Sequence, residues 1–289
     1  MLLHWRVMAR QRLGQHFLAD AGWREEVVRA IRVSTQSLAP LPKAAQGNYC
    51  WIEIGAGHGE ITEQLAATGT PVYGIELDPP LIAGLERLAK RFPNLTVLRG
   101  DILETDIQQL AAGRRVRVYG NLPYYITSPI LHHLFASAEA IDEIHVVVQL
   151  EVAQRLAAKP GTRDYGYLSV LTQYFSRPEL VLEIPRSAFR PPPAVSSALV
   201  TLRLPGEHAN LSGIDEARFL NFVKLCFAQK RKTLVNNLRS MARPELLREV
   251  LASLGLRPDA RAEQLSVTEL ISLWKSLPSA APHKAEKKK

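Results

Sequence analysis

The fold of this chain is decided by one stretch in its first quarter, Ile52-Glu53-Ile54-Gly55-Ala56-Gly57-His58-Gly59-Glu60. An apolar run over residues 49–54 leads into three glycines at alternate positions, and an amphipathic pattern follows them. The pattern predicts a strand, a tight turn and a helix, because glycine permits positive φ and lets a ligand approach the backbone closely. Gly55 and Gly57 are therefore candidate binding residues, with a purely structural turn as the alternative.

The spacing of these glycines indicates the class of ligand. A dinucleotide site carries G-x-G-x-x-G, with a pyrophosphate at the start of the helix. Here the spacing is G-x-G-x-G, and Glu53 stands two residues before the first glycine. This is the pattern expected for S-adenosylmethionine, which has no diphosphate.

Two acids follow at the ends of the next predicted strands. Glu76 ends a strand that starts at Val72, about twenty residues after the loop, where a ribose-binding acid is expected. A third apolar run, residues 95–98, leads to Asp101, which can accept a hydrogen bond from the adenine amino group of the cofactor, with Ile102 beside the ring. In open α/β sheets the ligand crevice lies outside the carboxyl ends of the strands. Glu76, Asp101 and Ile102 are therefore predicted to bind the cofactor.

A fourth predicted strand, residues 116–120, is followed by Asn121-Leu122-Pro123-Tyr124. The amine of adenine is a poor nucleophile because its lone pair is conjugated into the ring. The Asn121 amide oxygen and the Leu122 carbonyl can each accept one of its N–H groups, and Pro123 stiffens the turn. Tyr124 offers a flat face for a base extruded from its helix. The four residues are predicted to be catalytic in methylation of an exocyclic amine; an ordinary Asn-x-Pro turn is the alternative.

The order of elements predicts an α/β fold. Strands and helices alternate from a helix over residues 21–31 to a buried strand over residues 143–148, which favours a parallel sheet covered on both faces. Two later strands, residues 180–184 and 198–204, are expected to form an antiparallel addition at the sheet edge. Residues 1–206 are thus predicted to form an N-terminal arm plus a Rossmann-like class I methyltransferase domain. Residues 207–280 are predicted to form a small all-α domain, and residues 281–289 a disordered basic tail.

Composition fits a nucleic-acid substrate. The chain has 289 residues, a formal net charge of +8 and a sequence pI near 9.6, a balance that attracts a polyanion without separating RNA from DNA or acidic lipid. The start lacks a signal peptide pattern, and no run approaches a membrane span, so a cytoplasmic protein is expected. Cys50 and Cys226 are interpreted as buried reduced thiols, and no metal site is predicted.

Five segments together resemble one family, the small-subunit (16S-type) ribosomal RNA adenine N6,N6-dimethyltransferases of the KsgA/RsmA type. Two of them are the glycine loop with its acids and the segment 120–129 that contains the Asn121 turn. The other three, which are specific to the family, cover residues 12–18, 189–198 and 229–238. The chain departs from the family pattern at His16, where Asn is usual, and at Tyr125, where Asn is frequent.

The resemblance implies roles for individual residues. The N-terminal motif closes over the cofactor, so His16 and Leu18 should line that site, and Asn121 should also contact the cofactor. Phe189 matches the aromatic residue that holds the target adenine opposite Tyr124. The resemblance favours RNA-backbone contact by basic residues, namely Arg12 in the N-terminal arm and Lys230, Arg231, Lys232 and Arg239 on a helix predicted over residues 219–238.

The resemblance also implies the reaction. It is dimethylation at N6 of two adjacent adenines near the 3′ end of small-subunit rRNA, within a pre-30S particle, by a monomeric enzyme that uses S-adenosylmethionine. Three alternatives stay open: a large-subunit rRNA adenine methyltransferase, a DNA adenine methyltransferase, and an assembly or transcription factor that kept the fold without the chemistry.

Overall fold

The computed structural model describes residues 16–37, 48–123, 125–207 and 215–278, which form two compact units. The first unit contains the described residues up to Gln154 together with Arg177–Pro205, and the second contains Arg155–Ser176 and the described residues from Gly206 onwards. The sequence analysis counted residues 155–176 with the first domain. They lie in the second unit because their apolar side chains pack there, as the Tyr174 and Phe219 rings show with centroids 5.1 Å apart.

A seven-stranded sheet forms the centre of the first unit. Its strands are β2 (Tyr49–Ile54), β3 (Val72–Glu76), β4 (Leu95–Arg99), β5 (Arg115–Asn121), β6 (Ile141–Gln149), β7 (Arg177–Ile184) and β9 (Ser197–Arg203). They lie in the order β4-β3-β2-β5-β6-β9-β7. Strands β2 to β6 are mutually parallel, whereas β9 runs antiparallel to both β6 and β7. The predicted Rossmann-like sheet with an antiparallel addition at its edge is confirmed.

Six helices of the described residues begin in the first unit. They are α1 (Ala21–Ser37), α2 (Glu60–Ala66), α3 (Pro79–Ala89), α4 (Ile107–Ala111), α5 (Thr127–Phe135) and α6 (Leu150–Leu156). Local sequence explains several starts. Prolines open α3, where a missing N–H costs nothing, and the Asp106 carboxylate caps α4 by accepting from the Gln109 N–H at 3.0 Å.

The main apolar cluster lies on the sheet face that carries Trp51, Tyr119, Val147 and Leu199. Because side chains alternate along a strand and these residues are aligned across β2, β5, β6 and β9, they point to one face. Helices α1 and α2 supply the partners Val27, Val28, Ile31, Ile61 and Leu65. Burial of each such side chain contributes about 1.5–3 kcal/mol, so this face determines the register of the sheet.

A separate two-stranded ladder joins distant parts of the chain. Strand β1 (Phe17–Leu18) pairs antiparallel with β8 (Phe189–Arg190), with Leu18 opposite Phe189. The backbone N–H of Ala19 also donates to the Ala188 carbonyl at 2.9 Å. Two of the segments singled out in the sequence are therefore hydrogen-bonded to each other.

The described part of the second unit contains only helical elements. They are α7 (Tyr167–Phe175), α8 (Glu216–Cys226), α9 (Leu234–Asn237), α10 (Pro244–Ser253) and α11 (Val267–Ser276). The prediction of one helix over residues 219–238 is wrong, because α8 ends at Cys226 and the chain forms turns before α9 begins at Leu234. The Asn237 amide stabilises this break by donating to the Cys226 carbonyl at 2.7 Å.

Three further observations bear on the expected class of protein. Cys50 and Cys226 are buried free thiols, and burial raises the pKa of both. No helix in the described ranges has the length and hydropathy required to cross a bilayer. Among the described residues, no group of three or more His, Cys, Asp or Glu side chains is arranged to hold a metal ion.

Candidate active site

The carboxyl ends of β2, β3, β4 and β5 meet at one edge of the sheet, because these strands are parallel and adjacent. The glycine loop follows β2, Glu76 ends β3, Asp101 follows β4, and Asn121 ends β5. The four positions predicted from separate stretches of sequence therefore lie along one edge, where α/β folds bind their ligands.

The glycine loop has the backbone conformation that requires glycine. Gly55, Gly57 and Gly59 all have positive φ, at 67°, 59° and 87°. A Cβ on Gly55 would meet no atom within 4 Å, so the space over that residue is open. A Cβ on Gly57 would lie 3.2 Å from the Phe17 ring. The loop is therefore accessible to a ligand at Gly55, whereas Phe17 covers it at Gly57.

Glu76 holds this loop in place. Its Oε2 accepts from the Gly57 N–H at 2.8 Å, and its Oε1 accepts from the N–H groups of Leu77 and Asp78 at 2.8 and 3.0 Å. A carboxylate offers about four acceptor positions, so these three bonds leave one for a ligand hydroxyl. Besides the ribose contact predicted for it, Glu76 therefore also organises the glycine loop.

Asp101 and its neighbours form the next part of the edge. One carboxylate oxygen of Asp101 accepts from the Leu103 N–H at 2.9 Å, which starts a short 3-10 turn over Ile102–Glu104. Ile102 is buried, whereas Leu77 is 52% exposed. An apolar side chain that the protein leaves uncovered beside Glu76 is suited to contact a planar ligand, and the sequence analysis did not identify it.

The Asn121 side chain has a defined orientation. Its Nδ2 donates to the His16 carbonyl at 2.7 Å. Because the amide nitrogen is engaged in this bond, the amide oxygen points the other way and can accept from a ligand N–H. The backbone of Leu122 is fixed by its N–H, which donates to the Val147 carbonyl at 3.0 Å. The Leu122 carbonyl accepts no hydrogen bond from the described residues.

The segment 16–18 lies against the edge through side-chain and backbone contacts. Besides the bond from Asn121, His16 Nδ1 lies 2.7 Å from the Pro191 carbonyl oxygen. The Phe17 ring packs on His58 of the glycine loop with centroids 4.7 Å apart. Leu18 is buried in the main apolar cluster. The structure thus places His16 beside Asn121 and Phe17 against the glycine loop, whereas Leu18 packs into the apolar cluster opposite Phe189.

Phe189 occupies a different setting from the one expected of a base-stacking ring. It is 3% exposed and belongs to the main apolar cluster, opposite Leu18 in the β1–β8 ladder. Its ring face is therefore not open to solvent in this structure. Tyr124 and Arg12, which were also predicted to act on the RNA, lie outside the described residues.

Glu53 is a buried acid beneath the glycine loop. It is 3% exposed, and its Oε2 has no hydrogen-bond partner in the described residues. Burial raises its pKa to about 8, and the nearby carboxylates of Glu60 and Glu76 act in the same direction. Glu53 is therefore largely protonated at neutral pH.

This burial predicts a pH dependence of stability. Because the folded pKa of Glu53 is raised from 4.5 to about 8, the folded state holds a proton that the unfolded state has lost, and stability falls as pH rises through this window. Glu53→Gln should remove this pH dependence. Between pH 5 and 8, the free energy of unfolding of the variant should therefore rise relative to that of wild type by about 1.4 kcal/mol per pH unit. Urea unfolding of both proteins at pH 5 to 9 measures this difference in the free energy of unfolding. A difference that stays constant across pH would contradict the prediction.

Gly120 is a site residue that the sequence analysis missed. A Cβ there would lie 2.8 Å from Leu122 Cδ2 and 3.1 Å from Ile54 Cβ. Its φ is not positive, so no turn signal marks it. Glycine is required there because a side chain would occupy space beside the Asn121 turn. Only a residue without a side chain lets Leu122 pack onto β2 and present its carbonyl.

Gly120→Ala should therefore displace Leu122 and lower methyl transfer. We expect a loss of about 1–3 kcal/mol in the free energy of unfolding, the usual cost of overpacking. Gly84→Ala on α3 is the matched control, because its nearest neighbour would be the end of Arg87 at 3.9 Å. That control should gain up to about 1 kcal/mol from helix propensity. Equal stability and transfer in the two variants would show that Gly120 has no packing role.

The predicted RNA-binding residues of the second unit are exposed. Lys230, Arg231 and Lys232 lie in the turns between α8 and α9, and Arg239 follows α9. The Lys230 ammonium donates to the Arg163 carbonyl, which fixes that side chain in its own unit. Exposed cations on short turns are suited to contact phosphates.

Comparison with known proteins identifies the family. The model of the ribosomal RNA adenine dimethylase family matches residues 6–278. The chain belongs to that family. Relatives named ribosomal RNA small subunit methyltransferase A include those of Acidobacterium capsulatum, 42% identical over 92% of this chain and 90% of the relative, and Xanthomonas euvesicatoria, 40% identical over 92% and 95%.

Solved structures agree on the fold. A dimethyladenosine transferase from Plasmodium falciparum aligns with a TM-score of 0.72 and 24% identity over 89% of this chain and 96% of that one. The 23S rRNA methyltransferase ErmE aligns with a TM-score of 0.64 and 25% identity over 88% and 97%. A Rossmann-like methyltransferase domain with a helical C-terminal part is thus the architecture of this rRNA adenine dimethylase family member.

The residues at the edge fit S-adenosylmethionine, the cofactor of the family. Space is open over Gly55, Glu76 retains one acceptor position, and the exposed Leu77 can cover an adenine ring. These features lie along the sheet edge in the order glycine loop, Glu76 and Asp101.

Proposed function

We propose that this chain transfers two methyl groups from S-adenosylmethionine to N6 of each of two adjacent adenines near the 3′ end of small-subunit rRNA. The substrate is a pre-30S particle in the cytoplasm, and the enzyme acts as a monomer. The observation that carries the proposal is the 2.7 Å bond from Asn121 Nδ2 to the His16 carbonyl, which leaves the amide oxygen to accept from an amine. Relatives at about 40% identity carry small-subunit names.

Asn121 and Leu122 orient the amine in this proposal. The Asn121 oxygen and the Leu122 carbonyl each accept one N–H of the target, which directs the nitrogen lone pair toward the methyl donor. The donor supplies an electrophilic methyl on a sulfonium. The N6–methyl bond would form as the sulfur–methyl bond breaks, with the electron pair of that bond staying on sulfur as a neutral thioether. The N6 proton leaves to solvent afterwards, so no strong base is needed. Positioning supplies most of the rate acceleration.

The other site residues hold the target base, bind the cofactor or contact the RNA backbone. Pro123 stiffens the turn and Tyr124 holds the target ring, whereas Phe189, buried opposite Leu18, packs in the core and is not assigned a face on that ring. His16, Leu18, Gly55, Gly57, Glu76, Asp101, Ile102 and Asn121 bind the cofactor. Arg12, Lys230, Arg231, Lys232 and Arg239 contact the RNA backbone, positioning it without reading its sequence.

The deciding experiment is transfer from labelled S-adenosylmethionine to small ribosomal subunits from cells that lack the modification, with large subunits as a parallel substrate. We expect label in two adjacent adenines near the small-subunit rRNA 3′ end. Label confined to large-subunit rRNA would show that the chain is a large-subunit rRNA adenine methyltransferase. Cofactor binding without label in either subunit would identify a factor that binds without catalysing.

A further inference from the structure

Tyr125 is an exposed aromatic residue on a fixed backbone. Its side chain is 63% exposed. The turn around it is held by the Ile126 N–H and the Thr127 hydroxyl, which both donate to the Pro123 carbonyl at 3.2 and 3.3 Å. Helix α5 then begins at Thr127. The ring projects from a hydrogen-bonded turn and is left open, so it has no role in the core.

The position of Tyr125 relates it to the reaction. It follows the Asn121 turn at the carboxyl end of β5, three residues after the Leu122 carbonyl. Val195, 44% exposed, lies at the same edge, because Ser197 at the start of β9 is paired with Gln149 at the end of β6. Strands β5 and β9 are two positions apart in the sheet, which is roughly 10 Å. The edge beside the Asn121 turn therefore presents two exposed apolar side chains, Tyr125 and Val195.

Charge favours a nucleic-acid occupant over a protein. Arg190, in β8 beside the site segment, is exposed, and the chain carries a net charge of +8. A protein partner would need a contiguous apolar patch of several hundred Å². An exposed aromatic ring is instead the element on which proteins stack the bases of a single nucleic-acid strand, and the positive charge of the chain favours such a polyanion.

We propose that Tyr125 is a stacking platform for the nucleobase adjacent to the target adenine. This inference rests on the proposed function and deepens it, because two adjacent adenines give the site a purine neighbour in either order of methylation. While one adenine lies against Asn121, the other stacks on Tyr125 outside the site. Tyr125 is a positioning residue: it fixes the strand and does not touch the reacting atoms.

The first test compares Tyr125→Ala with Tyr125→Phe, which keeps the ring and removes the hydroxyl. With small subunits lacking the modification, Tyr125→Ala should lower kcat/KM for RNA roughly tenfold, at the low end of what loss of one base–aromatic stack causes. Tyr125→Phe should match wild type, and all three proteins should bind S-adenosylmethionine equally and melt at the same temperature. Wild-type transfer by Tyr125→Ala, or an equal defect in Tyr125→Phe, would overturn the proposal.

The second test reports stacking without catalysis. A single-stranded RNA carries an adenine next to 2-aminopurine, whose fluorescence is quenched when it stacks on an aromatic ring. Wild type and Tyr125→Phe should quench it at saturation, and Tyr125→Ala should quench it clearly less. Equal quenching by all three proteins, or none by wild type, would refute the platform. If wild type quenches yet transfers no methyl, the proposed function fails and the platform stands.

Discussion

Asn121→Ala is expected to abolish methyl transfer while RNA affinity stays close to wild type. The variant loses the oxygen that orients the target amine, and loss of one such acceptor or donor at a reacting centre typically lowers kcat by about 10²–10³. It also loses the 2.7 Å bond to the His16 carbonyl, so segment 16–18 is held less firmly. The two losses act together, and we expect roughly a thousandfold fall in kcat.

Asn94→Ala is the matched control for Asn121→Ala. The Asn94 amide also donates to backbone carbonyls, those of Ala66 and Thr70 at 2.8 and 2.7 Å, but it precedes β4, away from the carboxyl ends of the strands. It should lose stability and keep kcat. Single-turnover transfer and RNA binding measure both variants. Near-normal transfer by Asn121→Ala would remove the assigned role.

The sheet and its binding edge could be predicted because their signals are local. Alternation in β5, the glycines after β2, and the acids Glu76 and Asp101 are each visible within a few residues. Parallel strands then bring their carboxyl ends together without further information. Strand β9 lies between β6 and β7, and the sequence analysis predicted the antiparallel addition without that order.

Contacts between distant segments could not be predicted from residue patterns. The Asn121–His16 bond joins residues 105 apart, and the β1–β8 ladder is two residues long on each side. Neither has a periodicity that would reveal it. The space requirement at Gly120 is likewise invisible, since it depends on how Leu122 packs against Ile54.

Buried polar groups and helix breaks also depend on tertiary context. His145 is fully buried, with Nδ1 2.9 Å from the Thr201 hydroxyl, and burial lowers its pKa. The neighbouring residues of β6 are mostly apolar, so the sequence pattern does not indicate that His145 has a buried polar partner. The predicted helix over residues 219–238 failed because Asn237 donates to the Cys226 carbonyl, and this contact forms only when the chain folds back.

Glu76→Gln is expected to weaken S-adenosylmethionine binding by roughly 100-fold, which corresponds to about 2.7 kcal/mol. The glutamine oxygen can still accept from Leu77 and Asp78, but its amide nitrogen then faces the Gly57 N–H, so two donors oppose each other. A hydrogen bond to a charged group contributes about 1.5–3 kcal/mol. The loop would lose its anchor at Gly57, and the ligand would lose an acceptor.

Glu63→Gln separates this effect from a general loss of charge. Glu63 lies on α2, the helix that follows the loop, and its carboxylate accepts from Arg91 at 2.8 Å on the surface. Surface pairs of this kind contribute about 0–1 kcal/mol, so the control should bind the cofactor as wild type does. Calorimetric titration of both variants decides the point. If Glu76→Gln and Glu63→Gln bound equally well, the carboxylate of Glu76 would have no part in forming the cofactor site.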